Sequence, residues 1–453
     1  MLKTTLKALP AALGLVLSLH GGLAAAMDVA DAYRQSLSSD PTSLAADQAL
    51  LAGSEAAVQG DALLRPQVSL QAGVSRIHNH QTGELAPPAS ELLATNSTGT
   101  ARQAAVQLVQ PLYDRGAAAN RHQLHEQTTL AQTQFAASRQ DQALRVADAY
   151  FGVLLAEETV RVVAAELEAV LQQRDRAQAR FDVGQDRITD LHEAQARLDA
   201  VSTRDVAARS TLELRRAQFR ETVGAEPDQL APLAERFVPR MPEPAALADW
   251  QAVGESGSTL VLSKKSALEM ASAELSKHRL ESRPTVDLVA RYGASNERGN
   301  LSPLLAPTGD RTSSVGLVLN VPLYAGGGLD SRQREAVARL GQAEQELAAA
   351  RRDVRLKVQD GYLAVTTGVA RVAAQEQALA SARIALAATT QGRDVGTRTA
   401  LDVLDAQQRY FAARLDLMQG RIDYLMGRLR LAAASGELSE DSLRALDQWL
   451  LPR

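Results

Sequence analysis

Period-two alternation appears in four short stretches of the chain, and long three/four-spaced apolar patterns fill most of the rest. In residues 66–76, Val68, Leu70, Ala72 and Val74 alternate with Gln67, Ser69, Gln71 and Gly73. In 102–110, Ala104, Val106 and Leu108 alternate with Gln103, Ala105 and Gln107. Two later stretches repeat the pattern. Val286, Leu288, Ala290 and Tyr292 oppose Thr285, Asp287 and Arg291, and Val315, Leu317, Leu319, Val321 and Leu323 oppose Thr312, Ser314, Gly316 and Asn320. Period two over about ten residues predicts strands with one apolar face. It is also the length a tilted strand needs to cross a bilayer. A soluble, half-buried hairpin would carry the same pattern. The connections 77–100 and 296–311 are rich in Asn, Gly, Pro, Ser and Thr, and are predicted as long loops.

The helical stretches are the other extreme. From about Arg115 to Phe181, and from about Leu329 to Gly392, proline is absent and Ala, Leu, Gln, Glu and Arg dominate. Helices of that length are rods of roughly 100 Å, at ~1.5 Å per residue. Their apolar spacing of three and four predicts coiled-coil packing. Shorter helices, about 186–223 and 398–434, are predicted to run back beside them, and Val29 to about Leu64 is helical with a break at Asp40-Pro41.

These elements occur twice. Arg65-Pro66-x-Val68-x-Leu70-x-Ala72 returns as Arg283-Pro284-x-Val286-x-Leu288-x-Ala290, and Pro111-Leu112-Tyr113 as Pro322-Leu323-Tyr324. Val146-x-Asp148-x-Tyr150 returns as Val358-x-Asp360-x-Tyr362. Asp182-Val183-Gly184 with Asp190 returns as Asp394-Val395-Gly396 with Asp402. The offset stays between 211 and 218 residues, which predicts a duplicated unit rather than a solenoid. The expected organisation is a leader over 1–26, a first repeat over 27–223, a proline-rich linker over 224–258, a second repeat over 259–438 and a C-terminal segment over 439–453. The leader has basic Lys3 and Lys7, an apolar run from Ala8 to Leu19 and small residues at Ala24-Ala25-Ala26, the layout of a secretory signal peptide.

Composition then narrows the chemistry. The 453 residues hold 2 Trp, 8 Tyr, 6 Phe and no Cys. So few aromatics suit closely packed Ala-rich helices better than several mixed cores. Without cysteine there is no disulfide, thiol nucleophile, Cys-ligated zinc or N-terminal lipid-bearing Cys. A net charge of −4 argues against nucleic acid as a partner. His122 and His125 share a helix face beside Glu126, and His78 and His80 flank Asn79, but neither set supplies a third metal ligand, so no metal site is expected. Glu157-Glu158 reads as a helical surface pair, and no catalytic triad is legible, so no enzyme and no cofactor are expected.

If the four strands span a membrane, one chain cannot close a barrel. Small barrels need about eight strands, and an open edge is not tolerated in hydrocarbon. Several chains must then share one barrel.

At this point the motifs resemble the TolC family of outer-membrane efflux and type I secretion channels, over about residues 27–450. The most specific stretch is Val395-Gly396-Thr397-Arg398-Thr399-Ala400-Leu401-Asp402-Val403-Leu404-Asp405-Ala406. Ala149-Tyr150-Phe151, Phe181-Asp182-Val183-Gly184 with Ile188-Thr189-Asp190, Val321-Pro322-Leu323-Tyr324 with Gly326-Gly327-Gly328, and Gly436-Glu437-Leu438 support it. The resemblance implies a mainly α fold with a membrane β-barrel: a homotrimer with a 12-stranded barrel and a periplasmic α-barrel, in the outer membrane of a Gram-negative bacterium and in contact with its lipid. It implies an exit duct working with a periplasmic adaptor (membrane fusion protein) and an inner-membrane ABC transporter or proton-driven pump. Type I protein secretion is the favoured role; multidrug or solute efflux is the alternative, and a secreted coiled-coil scaffold is the alternative of a different class.

It also implies site residues. Asp402 and Asp405 match the family's pore-constricting aspartates; spaced i, i+3, they share one helix face, and three chains would gather them around an axis. Asp402 equally reads as a helix-start residue, where Asp is favoured. Arg398 matches a gating arginine, Thr189 and Asp190 its acceptors, and Gly184 and Gly396 the motif turns. Arg393 stands where the family pattern has tyrosine, and is expected to pair with Asp190.

Overall fold

The computed structural model describes residues 26–80, 96–185, 187–228, 230–299 and 309–451. All but the last residue of the expected leader, and the centres of both predicted loops, lie outside the described residues. The chain runs α1 (Val29–Ser39), α2 (Pro41–Ala62), β1 (Gln67–His80), β2 (Asn96–Tyr113), α3 (Arg115–Asp182) and α4 (Ile188–Val223). The order then repeats: α5 (Leu247–Gly257), α6 (Thr259–Leu280), β3 (Thr285–Gly299), β4 (Gly309–Asn320), α7 (Gly328–Asp394) and α8 (Ala400–Ser435). Helix α9 (Glu440–Arg444) and a 3₁₀ turn over Ala445–Trp449 close the chain.

Helix lengths carry the duplication. Helices α1 and α5 have 11 residues each, α2 and α6 have 22, α3 and α7 have 68 and 67, and α4 and α8 have 36. Helix α5, the counterpart of α1, lies inside the segment read as linker from its prolines. The break at Asp40-Pro41 is a cap: the Asp40 carboxylate accepts from the Thr42 N–H at 3.0 Å, and Pro41 takes the first helical position, where a missing N–H costs nothing.

The strands form one antiparallel sheet in the order β1-β2-β3-β4. The central β2–β3 pairing joins the two repeats, with Val106 opposite Tyr292 and Leu108 opposite Ala290. Strands β1 to β3 run further into the predicted loops than alternation indicated, because beyond the apolar band both faces are polar and the period disappears. Strand β4 likewise begins inside its predicted loop, at Gly309, but ends at Asn320 although alternation continues to Leu323. Pro322 cannot donate to a ladder, and Gly326 and Gly327, at φ 62° and 80°, turn the chain into α7.

Register places Val68, Leu70, Ala72 and Val74 on one face with Ala104, Val106, Leu108, Leu288, Ala290, Tyr292, Val315, Leu317 and Leu319. The single chain leaves this face uncovered: Leu70 is 70% exposed, Val74 72% and Val315 76%. An apolar face of that extent marks a contact surface for other protein or for a membrane. The opposite face carries Gln67, Ser69, Gln71, Gln103, Gln107, Arg291 and Ser314. No helix among the described residues is long and apolar enough to cross a membrane.

The rods pack in heptads. Val163, Val170 and Ala177 of α3 meet Ala194 and Val201 of α4 in one cluster. In the second repeat Val358, Val365 and Val372 of α7 are fully buried, as is Tyr424 of α8, with Leu417 and Leu431 nearly so. Gly361 and Gly368 allow the close approach, since a Cβ there would stand 3.0 Å from Leu431 Cα and 3.2 Å from Tyr424 Cδ2.

The scarce aromatics gather where the non-helical segment 224–246 crosses the helices. The Tyr424 hydroxyl donates to Arg240 O at 2.8 Å and accepts from Arg240 N–H at 2.7 Å. Trp449 Nε1 donates to Val238 O, and Phe237, Tyr424 and Trp449 stack around one another. The repeated tyrosines do parallel work: Tyr362 donates to Ala245 O, and buried Tyr150 shares its proton between Met27 O and Ala231 O, each at 2.9 Å. Burial pushes the Tyr150 phenol well above its ordinary pKa, so it remains a donor. Tyr150→Phe is expected to lower unfolding stability by about 1–2 kcal/mol, read as a lower thermal midpoint of the detergent-solubilised protein.

Candidate functional site at the tips of the helical hairpins

The ends of the rods far from the sheet are two helical hairpins, α3–α4 and α7–α8. Both turn through the same motif. At the first, Gly184 N–H donates to Phe181 O at 2.8 Å and Gln185 N–H to Arg180 O at 2.9 Å. At the second, Gly396 N–H donates to Arg393 O at 3.0 Å and Thr397 N–H to Gly392 O at 2.8 Å. Each is a Schellman ending, which needs a left-handed residue after the helix. Gly184 and Gly396 supply it at φ 76° and 80°. Nothing lies within 4 Å of a Cβ built on either, so backbone conformation alone demands glycine.

The second turn is tighter than its twin. The Gly392 carbonyl also accepts from Arg398 N–H at 3.2 Å and from the Thr397 hydroxyl at 2.9 Å. A Cβ on Gly392 would stand 2.9 Å from Arg398 Cγ. Gly392 thus seats the arginine stem, a role that sequence reading missed; the signal was a glycine within a helical run, three residues before a Val-Gly turn.

The helices leaving the turns start differently. Helix α8 opens with a full capping box: Thr399 Oγ1 accepts from Asp402 N–H at 3.1 Å, and Asp402 Oδ2 accepts from Thr399 N–H at 2.8 Å and from the Thr399 hydroxyl at 2.9 Å. Helix α4 opens on Arg187 with no side-chain cap, and Asp190 N–H donates to Arg187 O at 3.1 Å. Of the two sequence readings of Asp402, the helix-start role is visible within the chain. Only Oδ2 is used; among the described residues no hydrogen bond is made by Oδ1.

The two Thr399 donors, with Arg398 and Arg409 nearby, hold the Asp402 carboxyl below the usual carboxylate range. A lowered folded pKa means that the ionised cap stabilises at pH above the unfolded carboxylate value of about 3.9, and that this is lost as pH falls through the lower folded value. Thr399→Ala is expected to speed amide exchange at the start of α8 about fivefold at neutral pH, the size of a lost cap. In the unaltered protein the same fraying is expected only below the ordinary carboxylate range.

Asp405 is exposed one turn further on. With Leu401 and Leu404 it lines a groove of about 380 Å³ shared with Glu193 and Arg197 of α4. Leu404 inserts into the α3–α4 cluster, so the start of α8 rests on the neighbouring hairpin. Arg393 lies half-buried in the last turn of α7 and Arg398 is exposed between Gly396 and Thr399. Thr189 and Asp190 occupy the first turn of α4.

Links between hairpins also came from residues read as surface decoration. Neighbours on a helix point about 100° apart, so Glu157 and Glu158 reach different partners. Glu157 meets Arg216 of α4 at 3.1 Å, whereas Glu158 takes two contacts from Arg414 of α8, at 2.8 and 2.7 Å, and one from Arg161. Nearby, Glu166 is 2% exposed and meets Arg204 at 2.6 Å and Arg197 at 4.0 Å. The two helix histidines turn to separate carboxylates, His125 to Asp61 at 3.2 Å and His122 to Glu126 at 3.9 Å.

Residues 22–225 and 258–437 match the family model described as outer membrane efflux protein. The chain is 32% identical over 426 residues to the outer membrane protein TolC of Vibrio cholerae, covering 94% of each. It is 28% identical over 428 residues to the alkaline protease secretion protein AprF of Pseudomonas aeruginosa, covering 92% of this chain and 86% of that one. The crystal structure of the outer membrane protein VceC from Vibrio cholerae superposes with a TM-score of 0.75 at 18% identity, over 90% of this chain and 96% of that one.

Proposed function

The chain belongs to the outer membrane efflux protein family, the TolC family, and from that we propose that it is the exit duct of a tripartite type I secretion system, gated at its periplasmic tip. As a member of that family it is a Gram-negative outer-membrane channel with a periplasmic tunnel, not an enzyme. The observation that carries the reading is the four-stranded sheet, apolar and uncovered on one face, with rods of roughly 100 Å leaving one end. Three such sheets side by side give a closed 12-stranded barrel without an open edge, and the rods continue its wall as a tube. A stable monomer in detergent would overturn this shared barrel.

Selection of cargo belongs to the pump, which is joined to the duct by a periplasmic adaptor. Protein secretion is favoured because a relative aligned over nearly the whole chain is named for protease secretion. Solute efflux is the second reading, favoured by the name of the family model. A strain lacking its own duct, supplied with this chain and the matching pump and adaptor, should regain export of a protein substrate; restored drug resistance without protein export would decide for efflux.

The tip residues fill distinct roles in this reading. Asp402 and Asp405, repeated three times, form the constriction. Arg398 with Thr189 and Asp190 ties the α7–α8 hairpin to its neighbour, and Arg393 pairs with Asp190 in place of a tyrosine hydrogen bond. Gly184 and Gly396 set the turns. In planar bilayers, Arg393→Ala and Asp190→Ala are each expected to raise single-channel conductance several-fold, with no further gain from the double variant. Unchanged conductance in both would remove this pair from the gate.

A further inference from the structure

We propose that the outer end of the lipid-facing sheet carries an arginine belt that binds the phosphate groups of the phosphorylated glycolipid (lipopolysaccharide) of the outer leaflet. The inference rests on the membrane-spanning reading of the sheet. Register shows the belt directly. On the apolar face, the row after Val74 holds Arg76 on β1, Thr100 on β2 and Arg298 on β3. One row nearer the band, Val74 pairs with Arg102, and Arg102 with Asn296. One row nearer still, Ala294 pairs with Arg311 of β4. Every strand thus contributes one arginine to this face, all four within four residues of one another in register.

The charge on this face is unbalanced. The acids of the described strands, Asp287, Glu297 and Asp310, all fall on the opposite face by register. All four arginines are exposed, and none is in an ion pair among the described residues. Elsewhere in the molecule arginines commonly find carboxylates, as Arg339 does with Glu274 and Glu335. An uncompensated cluster facing outward needs an anion from its surroundings. The rods attach at the other end of every strand, so this end meets the outer leaflet. Arginine offers a planar fork that pairs bidentately with phosphate, and its stem can lie along the apolar band while the head reaches the headgroup level. A trimer would set twelve such forks around the barrel, with Thr98, Thr100 and His78 beside them on the same face.

The test uses the full-length chain purified in detergent, with bound lipid counted by native mass spectrometry. Bisphosphorylated lipid A is expected to bind at least about tenfold more tightly than its dephosphorylated form, and more tightly than phosphatidylglycerol. The variant R76Q/R102Q/R298Q/R311Q is expected to lose that preference, and Arg291→Gln on the opposite face to keep it. Equal binding of phosphorylated and dephosphorylated lipid A overturns the belt, as does equal loss in the Arg291 variant. Phosphatidylglycerol binding as tightly as lipid A overturns the glycolipid assignment. If the quadruple variant fails to fold, the lipid series on the unaltered chain still decides. Conductance separates the two readings: a chain that does not enter bilayers overturns both, and one that enters and conducts without phosphate preference overturns only the belt.

Discussion

Replacing Asp402 and Asp405 together with alanine is expected to weaken block of the channel by trivalent cations at least about 100-fold, equivalent to roughly 2.7 kcal/mol of lost cation binding. In the proposed trimer six carboxylates surround one axis, and such rings hold cations far better than scattered surface acids do. The two members are not equivalent. Asp402 Oδ2 is committed to the Thr399 N–H and hydroxyl, whereas Asp405 is exposed and makes no cap. Asp405→Ala should therefore remove charge alone, while Asp402→Ala removes charge and the helix cap together. Asp402→Asn separates these effects, since an amide oxygen still accepts from Thr399, and Thr399→Ala removes the cap while keeping the charge. Block measured in planar bilayers across these variants assigns each part. Undiminished block in the double variant would place the cation site elsewhere.

Gly436→Ala is expected to cost about 3–5 kcal/mol of folding stability. Gly436 ends α8 at φ 83°, and a Cβ there would fall 2.1 Å from Gly257 O, 2.6 Å from Gly257 C and 3.0 Å from Ser258 N. These atoms are backbone at the α5–α6 junction and cannot turn aside as a side chain would. Gly184→Ala is the control: its φ of 76° is similar, but no atom lies within 4 Å, so only the left-handed backbone penalty of about 1 kcal/mol is expected. Denaturant titration of both variants in detergent measures the difference. Similar losses for the two would show that conformation, not crowding, sets the requirement at Gly436.

The rods, both Val-Gly turns and the strand centres were legible because each follows from a local rule: helix formers without proline, a left-handed glycine, alternation. What escaped was set by partners distant in sequence. The β2–β3 pairing joins residues about 190 apart, such as Val106 and Tyr292, and neither strand names the other. Helix α5 was hidden by its prolines upstream and by Gly254 and Gly257, which are needed where it packs on α7 and α8. Glu158 looked like surface charge because its partner Arg414 lies in the other repeat. At Asp402 a one-dimensional pattern could weigh the cap against the proposed constriction, but could not see that the cap uses only Oδ2 and leaves the other oxygen for the proposed role.

The unequal starts of α4 and α8 bear on symmetry. In the proposed trimer the two repeats make the sheet a quasi-sixfold object, since each supplies one hairpin of near-identical build. At the tip this equivalence breaks. One hairpin of each pair resumes on Arg187 without a cap, while the other resumes on a locked Thr399–Asp402 box beside Gly392. Six similar units therefore resolve into two classes of three. A barrel wall tolerates six equal staves; in the proposed gate the two classes would be leaves that hold their shape and leaves that yield, both supplied from one chain by duplication followed by divergence at a handful of residues.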